Sequence, residues 1–291
     1  RIMTSSVIMS CTAILFLLIR FLATKENSGV MSDDILNNPF IYASESQRLA
    51  TILLTWLYYW KLLIFPLHLS YDYNFNQIPI TDFSNPLVLL SAAFHVLLVL
   101  LAVYSFRKAP VYAFGILFYF ITFSIVSNLP VNTGTPFAER FILIPSIGFC
   151  LVIAAAAIQA IEKIRISEKI AFLVLVGIVS VSVIRIMYRC PDWKDNNTLF
   201  LVDVKQTPAS ARSQLNAGLT CLNIASESIG ETKLAWIDSS MKYLQNGIRI
   251  YPEKADGYIN MGVACSWKDD YENAERWWNM ARKMKIGRAH V

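Results

Sequence analysis

The chain has 291 residues, of which 55% are hydrophobic and only 16% charged, with a formal net charge of +5 and a mean hydropathy of +0.44. That composition excludes an ordinary soluble domain and a disordered chain, and it makes the bilayer the solvent for much of the protein.

A hydrocarbon core about 30 Å thick needs roughly 20 apolar residues in a helix, and six windows meet that need: 2–22, 49–68, 86–106, 110–129, 141–161 and 170–187. The windows 86–106, 110–129 and 141–161 contain no Asp, Glu, Lys or Arg. The first window ends at Arg20, the last meets Arg185, and the second carries Lys61 beside Tyr58, Tyr59 and Trp60. Arg107 and Lys108 join two spans, and Lys163, Arg165 and Lys169 join two others, whereas 69–85 and 130–138 hold no Lys or Arg. The positive-inside rule predicts that the two basic turns are cytoplasmic and that 70–85, 130–138 and all that follows Tyr188 are extracytoplasmic. Strict alternation then sends 24–47 to the cytoplasm, although it holds Glu26, Asp33, Asp34 and Glu45. If 49–68 is re-entrant or interfacial, that acidic loop joins the other side. Both readings stand.

After Tyr188 the composition changes. Between 189 and 285 there are 13 Lys and Arg against 12 Asp and Glu, with no apolar run long enough to span. Such balance argues against a nucleic-acid surface, which needs a basic stripe. A 34-residue helical hairpin numbered from Ala255 puts Tyr258, Gly262 and Cys265 on its first helix and Ala274, Trp278 and Ala281 on its second, the tetratricopeptide pattern. Gly262 and Ala274 are small where the helices cross, while Tyr258 and Trp278 fill the space between repeats. An earlier copy begins at Ala211 with Gly218 and Cys221, then Ser240, Leu244 and Gly247. Gly218 and Gly262 are 44 residues apart, so an insertion is expected around 226–233. The predicted fold is all-α: a polytopic membrane domain over 1–188, a connector over 189–210, and two tetratricopeptide repeats forming a short α-solenoid over 211–285.

Both ends carry expectations of their own. The chain opens on Arg1 without an initiator Met, so its N-terminus is expected upstream. Residues 286–291, Ile-Gly-Arg-Ala-His-Val, resemble the translation of a sequencing adapter. Two repeats without a polar cap predict an array that continues further.

The run Tyr58-Tyr59-Trp60-Lys61-Leu62-Leu63-Ile64-Phe65-Pro66-Leu67-His68-Leu69-Ser70-Tyr71-Asp72-Tyr73-Asn74-Phe75, followed by Ile78-Pro79, resembles the middle domain of the transmembrane and tetratricopeptide-repeat family of protein O-mannosyltransferases and its bacterial relatives. Two further runs are similar to signatures of the same family, in the same order: Glu139-Arg140 through Phe149, and Asp192-Trp193-Lys194-Asp195-Asn196-Asn197-Thr198-Leu199-Phe200. The resemblance covers roughly 35–285. It implies a glycosyltransferase of the GT-C superfamily, which takes a sugar, here mannose, from a polyprenyl-phosphate carrier to a Ser or Thr of an extracytoplasmic protein. It also implies an integral membrane location, in a bacterial inner membrane or, for a eukaryotic source, the endoplasmic reticulum. The superfamily's acidic catalytic residues lie in a first loop upstream of this chain, so no catalytic base is assigned.

Five residues are candidates for the lipid phosphate or the sugar. Arg140 offers a guanidinium for forked bonds to phosphate, with Glu139 orienting it or accepting from a sugar hydroxyl; the alternative is an ion pair anchoring a helix end. Asp72, with Tyr73, sits in an apolar-flanked loop where an unpaired carboxylate is costly, or else bonds within a local turn. Lys61 is an intramembrane cation or snorkels to the interface. Tyr258, Gly262 and Trp278 mark the protein-binding repeats. Asp33 and Asp34 read better as a loop or helix start than as a catalytic pair, and His95 as a packing residue. Cys190 is the thiol most open to exposure, and Asn196-Asn197-Thr198 is a glycosylation sequon. No His-Glu-x-x-His, Cys-x-x-Cys or Gly-rich phosphate loop is present, so no metal or further cofactor is expected. The competing function is a non-catalytic membrane-anchored scaffold whose repeats bind a partner protein.

Overall fold

The computed structural model describes residues 34–130 and 132–289. The expected span 2–22, Cys11, Asp33 and the last two residues of 286–291 lie outside them. Among the described residues all regular structure is helical, in ten α-helices and two short 3-10 turns.

Helix α1 spans Glu45–Ile64 and starts at a capping box, in which Ser44 and Gln47 satisfy each other's backbone N–H groups. Helices α2 (Pro86–Lys108), α3 (Pro110–Ser124) and α4 (Pro145–Ile164) each open on a proline, where the missing N–H has no intrahelical partner to lose. Helix α5 spans Glu168–Arg189 behind the N-cap Ser167. By length and composition, α2, α4 and α5 extended to Trp193 can cross a membrane. Helix α3 is apolar but has 15 residues, about 22 Å at 1.5 Å per residue, short of the hydrocarbon thickness.

Helices α2 and α3 turn back on each other at Ala109, and α3 packs on α4. The start of α2, the end of α3 and the start of α4 therefore share one face, with the basic turns 107–108 and 163–169 on the other. Helix α1 packs against the first face and is not among the helices long and apolar enough to cross a membrane. Near its start the Arg48 guanidinium donates to the carbonyls of Asn128 and Leu129. Along its length Thr81 N–H donates to Thr51 Oγ1, Trp56 Nε1 to the Ser127 carbonyl and Ala138 N–H to the Tyr59 hydroxyl. These partners belong to loops of that one face, and Ser91 of α2 donates to the Leu53 carbonyl, a packing that suits the interfacial reading of 49–68. Aromatic contacts seat the helix: Trp56 meets His95 and Phe123, and Trp60 meets Phe94, Tyr119 and Phe149. His95 is a packing residue here, with Nδ1 2.7 Å from the Ser91 carbonyl.

After α5 the chain makes a 3-10 turn, Cys190–Trp193, and helix α6, Asn196–Asp203. Two antiparallel helical hairpins follow: α7 (Ala211–Ser226) with α8 (Gly230–Ile250), and α9 (Ala255–Ser266) with α10 (Tyr271–Ala289). The extra residues expected around 226–233 go with a longer first hairpin: α7 has 16 residues against 12 in α9, and only 227–229 join α7 to α8. Helix α8 packs on both α7 and α9, around Leu215, Leu222, Ile237, Leu244 and Met261. Trp278 does not bridge hairpins. Its indole covers Gly262 within its own hairpin and donates to the Ile259 carbonyl, while Trp277 is the ring against buried Tyr258.

The α3–α4 crossing rests on two glycines. A Cβ on Gly148 would meet Tyr119 N at 2.9 Å and the Gly115 carbonyl oxygen closer still, whereas one on Gly177 of α5 would meet nothing. Small residues let membrane helices approach to backbone contact, so Gly148→Leu is expected to force the helices apart at about 1–3 kcal/mol. Thermal unfolding in detergent should show a lowered midpoint for Gly148→Leu and none for Gly177→Leu. Equal midpoints would refute the close crossing.

Candidate functional site

On the face that α1 crosses, the loop 66–80 and the 3-10 turn Glu139–Ile142 meet. In a 3-10 turn successive side chains sit about 120° apart, and this splits the Glu139–Arg140 pair. Glu139 turns inward: its Oε1 accepts from Ser70 N–H and from the Tyr73 hydroxyl, each at 2.6 Å. Arg140 turns outward, exposed, with its guanidinium 5.1 Å from the Phe141 ring centre. Among the described residues no carboxylate oxygen lies within ion-pair distance of it. Glu139 therefore does not orient Arg140.

Burial pushes the Glu139 carboxyl above its ordinary range, opposed by the two donors and by Arg189. Asp72 is raised for the same first reason, against the pull of Arg212 and Arg140. It is buried, and its Oδ2 is 4.0 Å from Arg212 Nε without a hydrogen-bond donor among the described residues. The Tyr73 phenol is raised by burial and by the neighbouring Glu139, and burial lifts Tyr71 to about 12.

The end of α5 and the start of the hairpin layer lock this loop in place. Asp203 is wholly buried at the end of α6; its Oδ1 lies 2.7 Å from Arg189 Nη2, and its Oδ2 accepts from Tyr71 N–H at 2.5 Å. Arg189 also pairs with Asp192 at 3.0 Å. Helix α7 adds Asn216, whose amide donates to the Tyr71 hydroxyl at 2.8 Å, and Arg212 beside Asp72. The chain before α1 docks here too. Arg212 donates to the Leu36 carbonyl, and Lys254 pairs with Asp34 at 2.7 Å. Asp34 also accepts from Leu36 N–H, which makes it a turn residue.

Two cavities flank the loop. One, of about 300 Å³, is lined on the membrane side by Tyr58, Lys61, Phe65, His68, Tyr73 and Phe137, and is completed by Gln77 and Gln206. The other, of about 390 Å³, lies on the hairpin side between Arg212, Asn216, Lys254, Asp256 and Asn260. Of the residues singled out in the sequence, Lys61 and Tyr73 share the first cavity, Glu139 bonds to Tyr73 and Asp72 faces Arg212. Arg140 lies outside both linings, and Tyr258, Gly262 and Trp278 are packing residues of the second hairpin. Arg189, Asp203 and Arg212 were not anticipated. The available signal was a set of charges just past the last span, and nothing in the spacing linked them to Tyr71 or Asp72. Cys190 is exposed, as expected, and Asn196 is exposed at the first turn of α6.

No family model matches the chain, and no solved structure matches it. Among curated proteins it is similar to protein O-mannosyl-transferase F38B6.6 of Caenorhabditis elegans, 26% identical over 184 residues covering 63% of this chain and 26% of that protein. It is similar to protein O-mannosyl-transferase TMTC3 of Mus musculus, 23% identical over 228 residues, 77% of this chain and 24% of that protein. It is also similar to protein O-mannosyl-transferase TMTC4 of Homo sapiens, 28% identical over 163 residues, 54% of this chain and 22% of that protein. The chain thus spans about a quarter of the length of these relatives. Over much of its length it is a distant homologue of the TMTC protein O-mannosyltransferases.

Proposed function

We propose that the chain belongs to a membrane glycosyltransferase that passes a sugar, mannose by analogy with the relatives' names, from a polyprenyl-phosphate carrier to a Ser or Thr of an extracytoplasmic protein. The observation that carries this reading is the junction at Tyr73. On one side is a cavity combining a cation, the four rings of Tyr58, Phe65, Tyr73 and Phe137, and amide groups; on the other is a hairpin groove bearing Arg212, Asn216 and Asn260. Ring faces and amides suit a polyhydroxylated headgroup, and Lys61 suits a phosphate. In this reading Lys61 takes the role first expected of Arg140, because it lines the cavity and Arg140 does not. Glu139 holds Tyr73, the two hairpins act as tetratricopeptide repeats, and an extended acceptor segment lies along their groove toward Asp72. A scaffold without transfer activity has no use for a cavity of this chemistry on the membrane side.

In the full-length enzyme Lys61→Ala is expected to lose a charge-assisted contact of about 1.5–3 kcal/mol, a roughly tenfold to hundredfold fall in donor affinity or transfer rate. Arg140→Ala should change either by less than about threefold. Steady-state kinetics with membrane-inserted protein read both; the reverse ranking would return the phosphate to Arg140, and loss of neither would favour the scaffold.

The raised Glu139 carboxyl fixes the sign of a second test. Its folded-state value lies above the ordinary 4.5, so the folded protein holds the proton more tightly. The stability linked to that proton is full below the ordinary value and is lost as pH rises through the folded one. Glu139→Gln keeps the acceptor oxygen without the charge. Melting midpoints of wild type and Glu139→Gln should therefore coincide at acid pH, with the variant gaining relative stability as pH rises. A wild type that gains instead would show that the donors outweigh burial.

A further inference from the structure

Helix α5 has no buried residue, yet its second half faces the segment after α1 across an apolar groove of about 800 Å³. The groove runs between Ile64, Phe65 and Leu67 and the α5 residues Val174, Gly177 and Val181. Phe65 lines both this groove and the cavity that holds Lys61 and Tyr73. The two spaces adjoin at Phe65, one polar and cationic, the other apolar and open along α5.

Arg185 lies at the edge of the groove, four residues from the end of α5, about 6 Å along the helix. Its Nη2 donates to the Leu67 carbonyl. Its Nε is shut away from solvent and has no hydrogen-bond acceptor among the described residues. A buried guanidinium N–H without an acceptor is costly, and an anion arriving from the groove removes that cost.

We infer that this groove seats the apolar chain of a single-chain lipid phosphate whose sugar headgroup enters the Tyr73 cavity, with the phosphate at the Phe65 boundary between Lys61 and Arg185. The inference rests on the proposed donor and adds where its chain and phosphate lie. One groove offers one seat, which suits an isoprenoid phosphate better than a two-chain phospholipid. The hydroxyl-binding lining beyond Phe65 is more than a bare phosphate would use. Arg185 acts on the phosphate and Gly177 on the chain, so the two contributions are separable.

Gly177 makes the test clean, because a Cβ added there meets nothing within 4 Å and a larger side chain enters the groove without disturbing packing. In the full-length protein in nanodiscs, Gly177→Phe is expected to raise KM for a long-chain isoprenyl phosphosugar by on the order of tenfold and to leave a short-chain analogue unchanged. Arg185→Gln should weaken both donors. A photoreactive long-chain isoprenyl phosphate carrying no sugar should label α5 between 174 and 186, resist competition by excess phosphatidylglycerol, and lose labelling in Gly177→Phe. Equal effects of Gly177→Phe on both donors, or labelling abolished by phosphatidylglycerol, would overturn the groove assignment. If the label behaves as expected but wild type transfers sugar from neither donor, the lipid seat stands and the transferase reading fails.

Discussion

The ion pair between Arg189 and Asp203 is the contact on which the junction depends. Arg189 is the last residue of α5, Asp203 the last of α6, and the two meet at 2.7 Å with the carboxylate entirely buried. Burying both charges is expensive unless every remaining lone pair is used, and removing one partner of such a pair costs about 3–5 kcal/mol. Here the second carboxylate oxygen takes Tyr71 N–H, and Arg189 takes Asp192 as well. One buried carboxylate therefore ties together the last membrane helix, the start of the hairpin layer and the loop that carries Asp72 and Tyr73. Were Asp203 lost, Tyr71 N–H would lose its acceptor and Arg189 its buried partner, and the loop would be left tied to α5 through the Arg185–Leu67 hydrogen bond.

A second constraint is the shortness of α3, which at about 22 Å ends at Ser124 and leaves the backbone groups of the segment after it without a helical ladder. Helix α1 supplies partners instead: Arg48 for the carbonyls of Asn128 and Leu129, Trp56 for Ser127, and Tyr59 for Ala138 N–H. Within the loop, Asn128 accepts from Thr133 N–H and donates to the Thr135 carbonyl. In the aromatic run from Trp56 to Trp60, Trp56 and Tyr59 both fill the space over the helix ends and carry polar tips to the loops, the dual task to which Tyr and Trp are suited, while Trp60 packs among Phe94, Tyr119 and Phe149.

Much of this was legible from residue order and some was not, for reasons that divide by sequence distance. The windows 86–106, 141–161 and 170–187 became long apolar helices because hydrophobic length is a local property. The window 110–129 was apolar enough but ended as a helix at Ser124. Apolar content also made 49–68 look like a span; its Thr51 and Tyr59, which accept from the loop residues Thr81 and Ala138 in the structure, were the local sign of a helix packed under loops. Glu139 and Arg140 read as a pair because they are adjacent, but a 3-10 turn sends adjacent side chains apart. Trp277 and Trp278 differ by one position on a helix, enough to exchange their partners. The contacts that build the site, Tyr71 with Asp203 and Asp72 with Arg212, join residues more than 130 positions apart, and no spacing rule reaches that far.

The junction lies where two solvents meet, and its chemistry follows from that position. Glu139 and Asp72 are carboxyls held above their ordinary range by burial, although donors and cations pull the other way. In a fully aqueous loop those donors and cations would prevail, and deeper in the bilayer neither carboxylate would be tolerated. The same boundary lets one wall, Phe65, face a polar cavity on one side and an apolar groove on the other. A ligand that is itself half lipid and half sugar phosphate matches such a site without either half being desolvated into the wrong medium. In the proposed reading its polar half ends beside Tyr73, in the cavity that Lys61 also lines.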